Sequence, residues 1–506
     1  MDNEINDHIK LNTWTLVDRP SPSTPIISGK WVYKLKTNPD KSINKYKARW
    51  VARGFEQEYG VNYIETFANT CRPEITRLLF AIATIVGFII NQWDIKLAFV
   101  NSPIDVRIYV EQPHGYKNNS KVCLLNKALY GLKQSARQWQ LYLAKILAKY
   151  NFYPIQIDQA VYLNKEENTI IITHVDNFLI FSSTQEKIDA LYSKISLDLE
   201  INNLGLASYF LGVEIIRNLD KGYTFIHQTA FINRLLDKFN KSDIKPKSIP
   251  LPIGLKLIKN DELASAKDIK KYQQEIGSLI YLTTYTRPNI AQAVNLCARF
   301  MSNPSYNHFK ALDNIWGYLN NFKDLGLLYK NQPGSAKPIN FIGYSDSDWG
   351  GDYVNRKSTT GWLFIANNTI IAWNSKLQKT VALSSCEAEY MALKETTKQS
   401  LYFRSIIRQI PIIEDNLNMA KSNQIYTDSN SAIELAKNPV FHSRTKHIDI
   451  QYHFIREHIS NKNINLIFCP TNEQLADSLT KIIDKVKFSN FIKSIGLVSS
   501  KTLKDI

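Results

Sequence analysis

Two carboxylates lie inside strand-like runs in the first half of the chain. Asp176 is in the middle of the apolar stretch IITHVDNFLIF, which predicts two buried strands that turn between His174 and Asn177. Asp94 follows a similar run in NQWDIKLAFV. Because buried acids are rarely left unpaired, the two residues predict either a bound divalent cation or ordinary paired or exposed acids. The residues alone leave both interpretations open.

Four more acids of the C-terminal part lie where an α/β domain would use them. Asp346 ends the strand-like run FIGYSD, and Asp428 ends QIYTD just before a predicted helix. Glu389 and Asp477 lie in predicted helices. Acids at strand ends that precede helices lie on the side of an α/β sheet where ligands usually bind. The pattern therefore predicts a functional site in this part of the chain.

The elements that must position these acids belong to a large, basic, globular protein. Its 506 residues suggest roughly three folded units, and 44% are hydrophobic and 11% aromatic. There are 62 Lys and Arg against 46 acids, a formal net charge of +16. This excess favours a polyanionic partner, although solvated surface lysines would also produce much of it. The five cysteines form no Cys-x-x-Cys pair, which argues against a zinc site and favours a reducing, intracellular compartment.

Two proline-containing segments divide the chain. KPKSIPLP and NQPGSAKP cannot lie inside a central strand or helix, so we expect boundaries near residues 245 and 335. The longest apolar run, Leu78 to Ile90, has 13 residues, fewer than the roughly 20 of a membrane helix. It predicts a buried helix that leads into a strand. The polar N-terminus shows no secretory signal.

A basic hairpin is predicted near the N-terminus. The runs WVYKLK and INKYKARWV flank the turn residues Asn38, Pro39 and Asp40. Between Lys30 and Arg53 there are eight basic residues and one acid, interleaved with four aromatic residues. Such a ribbon can place cations on phosphates and rings on bases or sugars. A solvated edge strand protected by lysines explains the same residues equally well.

An ordered series of motifs then becomes recognisable. The chain contains YIETFA, QWDIKLAFVNSPID, YVEQPHGY, ALYGLKQSARQW, HVDNFLI and YFLGVEI, followed by YSDSDWGGD, SSCEAEYMAL, YTDSNSAIELAKNPVFHSRTKHIDI and QLADSLTK. Their order and spacing resemble the reverse transcriptase and ribonuclease H region of Ty1/copia-type retrotransposon polyproteins, from about Trp14 to the C-terminus.

The resemblance implies an α+β polymerase right hand of fingers, palm and thumb-like region, followed by an α/β ribonuclease H-like domain with a mixed sheet. Fingers and palm would occupy residues 1–245, and a helical thumb or connection region residues 246–335. The ribonuclease H-like domain would span residues 336–490, before a C-terminal tail of residues 491–506.

In the polymerase part, the resemblance makes Asp94 the first metal ligand and Asp176 the first acid of the family's Tyr-x-Asp-Asp hairpin. Asn177 occupies the place of the second acid, and His174 that of the Tyr. QSARQW also lacks the Pro that is usual after the Gln. Since hard divalent cations prefer carboxylate oxygens to amides, Asn177 predicts an impaired polymerase.

The resemblance also implies residues that would bind the substrate. Phe99 would pack under the incoming sugar, although a plain core Phe is the simpler interpretation without the alignment. Gln134 matches the nucleotide-side Gln, and either Lys47 or Arg49 would meet the triphosphate. Gly212 belongs to the strand turn that would grip the primer, where a glycine permits close backbone approach.

The ribonuclease acids of the family map onto Asp346, Glu389, Asp428 and Asp477 without substitution. Asp346 and Asp348 both lie in YSDSDW, and the spacing there favours Asp346 as the first acid. Two Mg²⁺ ions, with Mn²⁺ as an alternative, would be bound at each site. Ser384 is the candidate N-cap of the Glu389 helix, and Thr471 is the candidate N-cap of the Asp477 helix.

The main functional hypothesis is an RNA-directed DNA polymerase with ribonuclease H activity whose DNA synthesis is weak or absent. The alternatives are a nucleic-acid-binding module, a nuclease specific for RNA/DNA hybrids, or a relic of a decaying element. Expected partners are an RNA template, the RNA/DNA hybrid and dNTPs, with other polyprotein parts. The motifs of nucleocapsid, protease and integrase are not recognisable, so we expect a polyprotein fragment or a truncated copy. The expected location is intracellular, in a cytoplasmic particle or the nucleus, and no membrane is expected as a partner.

Overall fold

The computed structural model of the protein describes residues 1–37, 43–331, 341–411, 422–437 and 446–505. The chain divides into two compact units. The first contains Met1–Cys71 and Ile89–Leu206, and the second contains Arg72–Phe88 and Ala207–Ile506.

The first unit combines four α-helices and the 3-10 helix Gly54–Glu56 with twelve strands in its described residues. The helices are α1 (Asp2–Lys10), α3 (Ala98–Asn101), α4 (Ser135–Ala148) and α5 (Gln185–Ile195). The strands are β1 (Trp14–Val17), β2 (Ile26–Ile27), β3 (Gly29–Thr37), β4 (Ile43–Ala52), β5 (Ile89–Ile95), β6 (Tyr109–Val110), β7 (Val122–Leu125), β8 (Tyr153–Pro154), β9 (Val161–Asn164), β10 (Thr169–His174), β11 (Asn177–Ser182) and β12 (Ile201–Leu206). They form a four-stranded sheet, a two-stranded ribbon of β3 and β4, and a six-stranded sheet of order β12-β5-β11-β10-β9-β8.

The six-stranded sheet holds its central strands in an apolar core. β10 and β11 form the predicted hairpin, in which His174 pairs with Asn177. The sheet packs with α4 and α5 around a buried cluster that includes Trp93, Phe178 and Trp139. Burial of such large side chains fixes the register, because a slip of one residue would turn every side chain to the opposite face.

The second unit is larger and contains ten α-helices, the 3-10 helices Pro288–Ile290 and Ser500–Lys504, and ten strands in its described residues. The helices are α2 (Pro73–Ile85), α6 (Thr229–Lys238), α7 (Ala266–Tyr285), α8 (Ala291–Ala298), α9 (Tyr306–Asn321), α10 (Ser385–Gln409), α11 (Asn430–Lys437), α12 (Lys446–Ser460), α13 (Asp477–Thr480) and α14 (Lys485–Ser494). The strands are β13 (Tyr209–Phe210), β14 (Val213–Asn218), β15 (Tyr223–His227), β16 (Leu325–Lys330), β17 (Phe341–Asp348), β18 (Thr359–Ala366), β19 (Thr369–Leu377), β20 (Asn423–Thr427), β21 (Ile464–Phe468) and β22 (Leu497–Ser499).

These strands form two five-stranded sheets. One has the order β13-β14-β15-β16-β22 and is antiparallel throughout. The other has the order β19-β18-β17-β20-β21, with antiparallel pairs on the β19 side and parallel pairs on the β21 side. The predicted α+β class with a mixed C-terminal sheet is therefore confirmed, whereas the predicted domain boundaries stay predictions.

The apolar run near residue 80 folds as predicted. It forms most of α2, which is buried along nearly its whole length, and the chain then turns at Gly87 into β5. A glycine suits this turn because its φ is +73°. No helix in the described part of the chain is both long enough and apolar enough to cross a membrane.

Candidate active sites

The acids of the first unit meet on one face of the six-stranded sheet. Asn177 on β11 lies directly opposite Asp94 on β5, and Asn202 on β12 lies opposite Asp94 on its other side. Directly opposite residues of an antiparallel pair point to the same face. The Asn202 amide donates to Asp94 Oδ2 at 3.4 Å, so β11, β5 and β12 present an amide, an acid and an amide in a row.

Asp176 completes this group from the hairpin turn. Its backbone oxygen accepts a hydrogen bond from Ile95 N at 2.7 Å. The residue before it, Val175, has a φ of +61°, a strained conformation for a β-branched residue. The Trp139 indole donates to the Val175 carbonyl oxygen at 2.7 Å and helps to hold the turn in place.

Burial and neighbouring charges change the pKa of Asp176. Burial raises the pKa of Asp176, and the nearby charge of Asp94 raises it further. The positive charges of Arg49 and Lys47 oppose this shift. The amide of Asn177 donates to Asp176 Oδ1 at 2.9 Å. Asn177 therefore acts here as a hydrogen-bond donor to its neighbouring acid, which a second carboxylate could not do.

Tyr130 is a member of this site that the sequence reasoning missed. The guanidinium of Arg49 lies 4.6 Å from the centre of its ring, and the ring of Phe99 lies 5.2 Å away. Burial raises the pKa of Tyr130 to about 12, and both Asp176 and Asp94 contribute to the shift. The available signal was its position in ALYGLKQ, four residues before the predicted Gln134.

Gln134 and Gly212 have other surroundings. Gln134 is fully buried, and its amide is hydrogen-bonded to Gln57 and to the carbonyl oxygen of Asn62. Gly212, in the second unit, has a φ of +75° in the turn between β13 and β14. A Cβ there would lie 2.7 Å from the hydroxyl of Tyr281, and this hydroxyl also donates to the neighbouring Leu211 carbonyl.

The β3–β4 ribbon separates its cations from its rings. Directly opposite pairs share a face of an antiparallel ribbon. One face carries the pairs Val32/Arg49 and Lys34/Lys47, and the other carries Trp31/Trp50, Tyr33/Ala48 and Leu35/Tyr46. The interleaved sequence is thus resolved into a cationic face and an aromatic face, because side chains alternate along a strand. The predicted turn residues 38–40 lie outside the described residues.

Three predicted ribonuclease acids converge in the second unit. Carboxylate oxygens of Asp346, Asp428 and Asp477 all lie within 4.8 Å of one another. They come from the strand β17, the end of β20 and the first residue of α13. Glu389 on α10 lies beside them, since its Oε1 accepts a hydrogen bond from Ser347 N at 3.2 Å. The chain thus brings all four predicted acids together.

The charges of these acids strongly affect one another. Burial, together with repulsion from Asp477 and Asp428, raises the pKa of Asp346 to about 7. Burial and the charges of Asp346 and Asp428 raise the pKa of Glu389 well above its usual value. The buried Oε2 atom of Glu389 has no hydrogen-bond partner among the described residues. A divalent cation at this point would relieve both the repulsion and the unpaired oxygen.

Side chains that the sequence reasoning did not single out hold these acids in place. Asp477 is fully buried and pairs with Lys481 Nζ at 2.8 Å and Lys487 Nζ at 2.5 Å. The hydroxyl of Thr480 donates to Asp346 Oδ2 at 2.5 Å. Basic residues near the C-terminal motifs could have indicated these contacts, but the sequence does not distinguish them from the many other lysines of the chain.

One of the two predicted helix caps is wrong. Ser384 caps α10 as expected, accepting a hydrogen bond from Glu387 N. Thr471 does not cap the helix of Asp477, which begins only at Asp477 itself. Its hydroxyl instead donates to Asp428 Oδ2 at 2.8 Å. The proline-led segment after β21 therefore contributes to the site as a loop.

Comparisons with known proteins agree with this arrangement of motifs. Residues 11–253 match the family described as reverse transcriptase (RNA-dependent DNA polymerase). The retrovirus-related Pol polyprotein from transposon TNT 1-94 of Nicotiana tabacum is 36% identical over 99% of this chain and 38% of its own length. The corresponding polyprotein from transposon RE2 of Arabidopsis thaliana is 34% identical over 98% of this chain and 34% of its own length.

The chain belongs to the Ty1/copia-type retrovirus-related Pol polyproteins. It spans less than two fifths of the length of these relatives, 38% and 34% of the two named above. Among solved structures, a foamy viral protease-reverse transcriptase in complex with RNA/DNA hybrid aligns with 95% of this chain and 54% of that chain. The identity is 14% and the TM-score is 0.48.

Proposed function

We propose that the chain is the RNA-directed DNA polymerase and ribonuclease H part of a copia-type LTR retrotransposon polyprotein, with its polymerase impaired by Asn177. The observation that carries the proposal is the convergence of Asp346, Asp428 and Asp477, whose carboxylate oxygens lie within 4.8 Å of one another. With Glu389 beside them, they suit hydrolysis of the RNA strand of an RNA/DNA hybrid. The proposed setting is intracellular, in a cytoplasmic particle or the nucleus.

The ribonuclease residues fit a pair of Mg²⁺ ions, or Mn²⁺ in their place. The donor set consists of the four carboxylates, and the unpartnered Oε2 of Glu389 is available for a ligand. When bound, such ions activate water and stabilise the leaving 3′-oxygen. The chain itself supplies positioning: Thr480 orients Asp346, Thr471 orients Asp428, and Lys481 and Lys487 pair with Asp477.

The polymerase proposal depends on Asp94 and Asp176 as metal ligands. The cationic face of the ribbon, which carries Lys47 and Arg49, supports binding of the dNTP triphosphate, because the positive charges of both residues act on Asp176. Phe99, packed on Tyr130, is proposed to contact the sugar. Gln134 is proposed to act on the nucleotide side and Gly212 on the primer. Contact between Gln134 and the nucleotide would require its buried network with Gln57 and Asn62 to open.

Asn177 weakens this site in two ways. Its neutral amide is a poorer ligand for a hard cation than a carboxylate. Its N–H donors also occupy one oxygen of Asp176. Each loss of about 1.4 kcal/mol of transition-state stabilisation slows a reaction roughly tenfold. The neutral amide of Asn177 and its hydrogen bond to Asp176 favour a second candidate function, a hybrid-specific ribonuclease without DNA synthesis.

One set of assays on the purified chain separates these functions. Mg²⁺-dependent cleavage of an RNA/DNA hybrid should be slower in Asp428→Asn. Loss of a residue that only supports a metal ligand slows activity roughly 10-fold to 100-fold, and loss of a proposed ligand should slow it at least as much. The exposed Asp261→Asn is the matched control and should cleave normally. Primer extension on an RNA template, with Mg²⁺ and Mn²⁺, should be faster in Asn177→Asp than in the wild type.

The outcomes distinguish the candidate functions. Metal-dependent cleavage, with no primer extension by either the wild type or Asn177→Asp, would support a ribonuclease without polymerase activity. Equal extension by the wild type and Asn177→Asp would overturn the impairment. No cleavage by the wild type would contradict the ribonuclease and leave nucleic-acid binding.

A further inference from the structure

An exposed apolar cluster lies next to the acids of the second unit. It consists of Trp349, Val381 and Leu383, whose exposed fractions are 57%, 48% and 77%. Trp349 follows directly after β17, the strand of Asp346, and Leu383 precedes α10, the helix of Glu389. The cluster is therefore built by the same two elements that carry site acids.

The Trp349 ring is held in one orientation. Its indole N–H donates to the carbonyl oxygen of Ala382 at 3.1 Å, which joins the two arms of the cluster. The turn after it is fixed by Asp348, whose Oδ1 accepts from Gly351 N at 2.9 Å. A Cβ on Gly351 would lie 1.9 Å from Asp348 Oδ2, so the turn leaves no room for a side chain. Asp348, which is outside the acid cluster, thus has a role in shaping this turn.

The second arm is equally well fixed. Leu383 N donates to Glu387 Oε2 at 2.7 Å, and Glu387 N donates to Ser384 Oγ at 3.2 Å. These reciprocal hydrogen bonds form the start of α10 and set the position of Leu383. Ordering an exposed Trp and Leu in this way costs conformational entropy. Such a cost is expected where the rigid apolar surface receives a partner.

The position of the cluster indicates which partner it receives. A strand rises about 3.3 Å per residue, so Trp349 lies within about 10 Å of Asp346 along the chain. The nucleotides next to a scissile phosphate at the acids therefore lie within reach of Trp349. The four carboxylates repel phosphates, whereas the sugars exposed along the minor groove of a hybrid are uncharged and can pack against an aromatic ring.

We propose that the cluster of Trp349, Val381 and Leu383 is a platform for an RNA/DNA hybrid, packing against the sugars next to the cleaved phosphate. This inference depends on the proposed ribonuclease function and names a contact surface for its substrate. Trp349 supplies the ring, and Leu383 and Val381 extend the apolar area. The contact is independent of sequence, since every nucleotide presents a sugar.

Binding of a hybrid of about two helical turns tests the platform. Asp428→Asn serves as the background with Mg²⁺, so that binding is measured while cleavage is slowed. We expect Trp349→Ala to weaken binding by roughly fivefold or more, the size of effect that loss of an important aromatic side chain at an interface produces. Trp349→Phe should retain most of the affinity. Tyr306→Ala, which removes an aromatic residue that is 79% exposed on α9, is the matched control and should bind normally.

Two further readouts distinguish the explanations. The salt dependence of binding should have the same slope in Trp349→Ala as in the background, because no phosphate contact is lost. Equal affinities of Trp349→Ala and Tyr306→Ala would overturn the platform while leaving the ribonuclease proposal intact. A change of oligomeric state in Trp349→Ala, with unchanged hybrid affinity, would assign the cluster to self-association and also overturn it. A wild type that neither binds nor cleaves the hybrid would refute both proposals.

Discussion

At the scale of single residues, Glu275 is an acid placed inside an apolar core. It is fully buried on α7 among the helices of the second unit. Its Oε2 accepts a hydrogen bond from the Trp316 indole at 2.8 Å, and its buried Oε1 has no hydrogen-bond partner among the described residues. Burial raises the pKa of Glu275, while the Trp316 hydrogen bond and the charges of Lys241 and Lys271 oppose the shift. The folded chain therefore binds this proton more tightly than the unfolded chain.

This shift gives a pH dependence of known sign. A raised folded-state pKa stabilises the protein below the ordinary Glu value, and this contribution is lost as the pH rises through the folded value. We expect Glu275→Gln to lose less stability over that pH range, by up to about 1.4 kcal/mol per pH unit. Denaturant unfolding between pH 4 and 8 measures this, with the exposed Glu262→Gln as the control. Parallel pH profiles for wild type and Glu275→Gln would contradict the prediction.

At the scale of elements, the short helix α13 delivers two residues to the proposed ribonuclease site. Asp477 begins the helix and Thr480 ends it. The helix packs closely on β18 at Gly361, where an added Cβ would lie 2.6 Å from Thr480 Cγ2 and 3.0 Å from the Ala476 carbonyl oxygen. The absence of a side chain at Gly361 thus allows the helix to reach the other acids.

Gly361→Ala should move this helix and weaken the proposed metal site. We expect the Mg²⁺ concentration for half-maximal hybrid cleavage to rise by roughly tenfold or more, as when metal ligands lose their support. The matched control is Gly277→Ala on α7, where a Cβ would meet nothing within 4 Å. Thermal unfolding of both variants would separate a local shift from general destabilisation. An unchanged Mg²⁺ requirement in a folded Gly361→Ala variant would show that the packing at Gly361 does not position Asp477.

At the scale of the whole molecule, the formal net charge of +16 is the main property. Part of this charge is concentrated on the cationic face of the β3–β4 ribbon, where Lys34 and Lys47 lie directly opposite each other. Like charges in this arrangement repel, and a bound phosphate removes the repulsion. A nucleic acid that covers several such sites releases counterions, so its affinity depends on salt.

We expect the affinity for an RNA/DNA hybrid to fall by about tenfold or more between roughly 50 and 200 mM salt. In a plot of log affinity against log salt, Lys34→Gln should reduce the slope by about 1. Lys221→Gln, in the exposed turn between β14 and β15, should leave it unchanged and serves as the control. Equal slopes for the wild type and Lys34→Gln would exclude the ribbon from phosphate binding.

The local elements of this protein were predictable from its sequence. The apolar run of α2 and β5, the hairpin turn between His174 and Asn177, and the Ser384 cap each depend on residues close together in the chain. Backbone propensity, side-chain periodicity and capping act over this short range, so one segment contains the information. The motifs also identified the candidate site acids, and the order of the motifs along the chain identified the family.

Only the tertiary structure decided how distant residues meet. It brought Asp346, Asp428 and Asp477 together from three separate elements, and it gave Thr471 a bond to Asp428 in place of a cap. It also divided the ribbon into two faces and placed Tyr130 beside Arg49. These contacts depend on the packing of elements far apart in the chain, where the burial of apolar surface sets the geometry. Side-chain types alone carry no record of that packing, so the sequence identified the acids and the fold assembled them into a site.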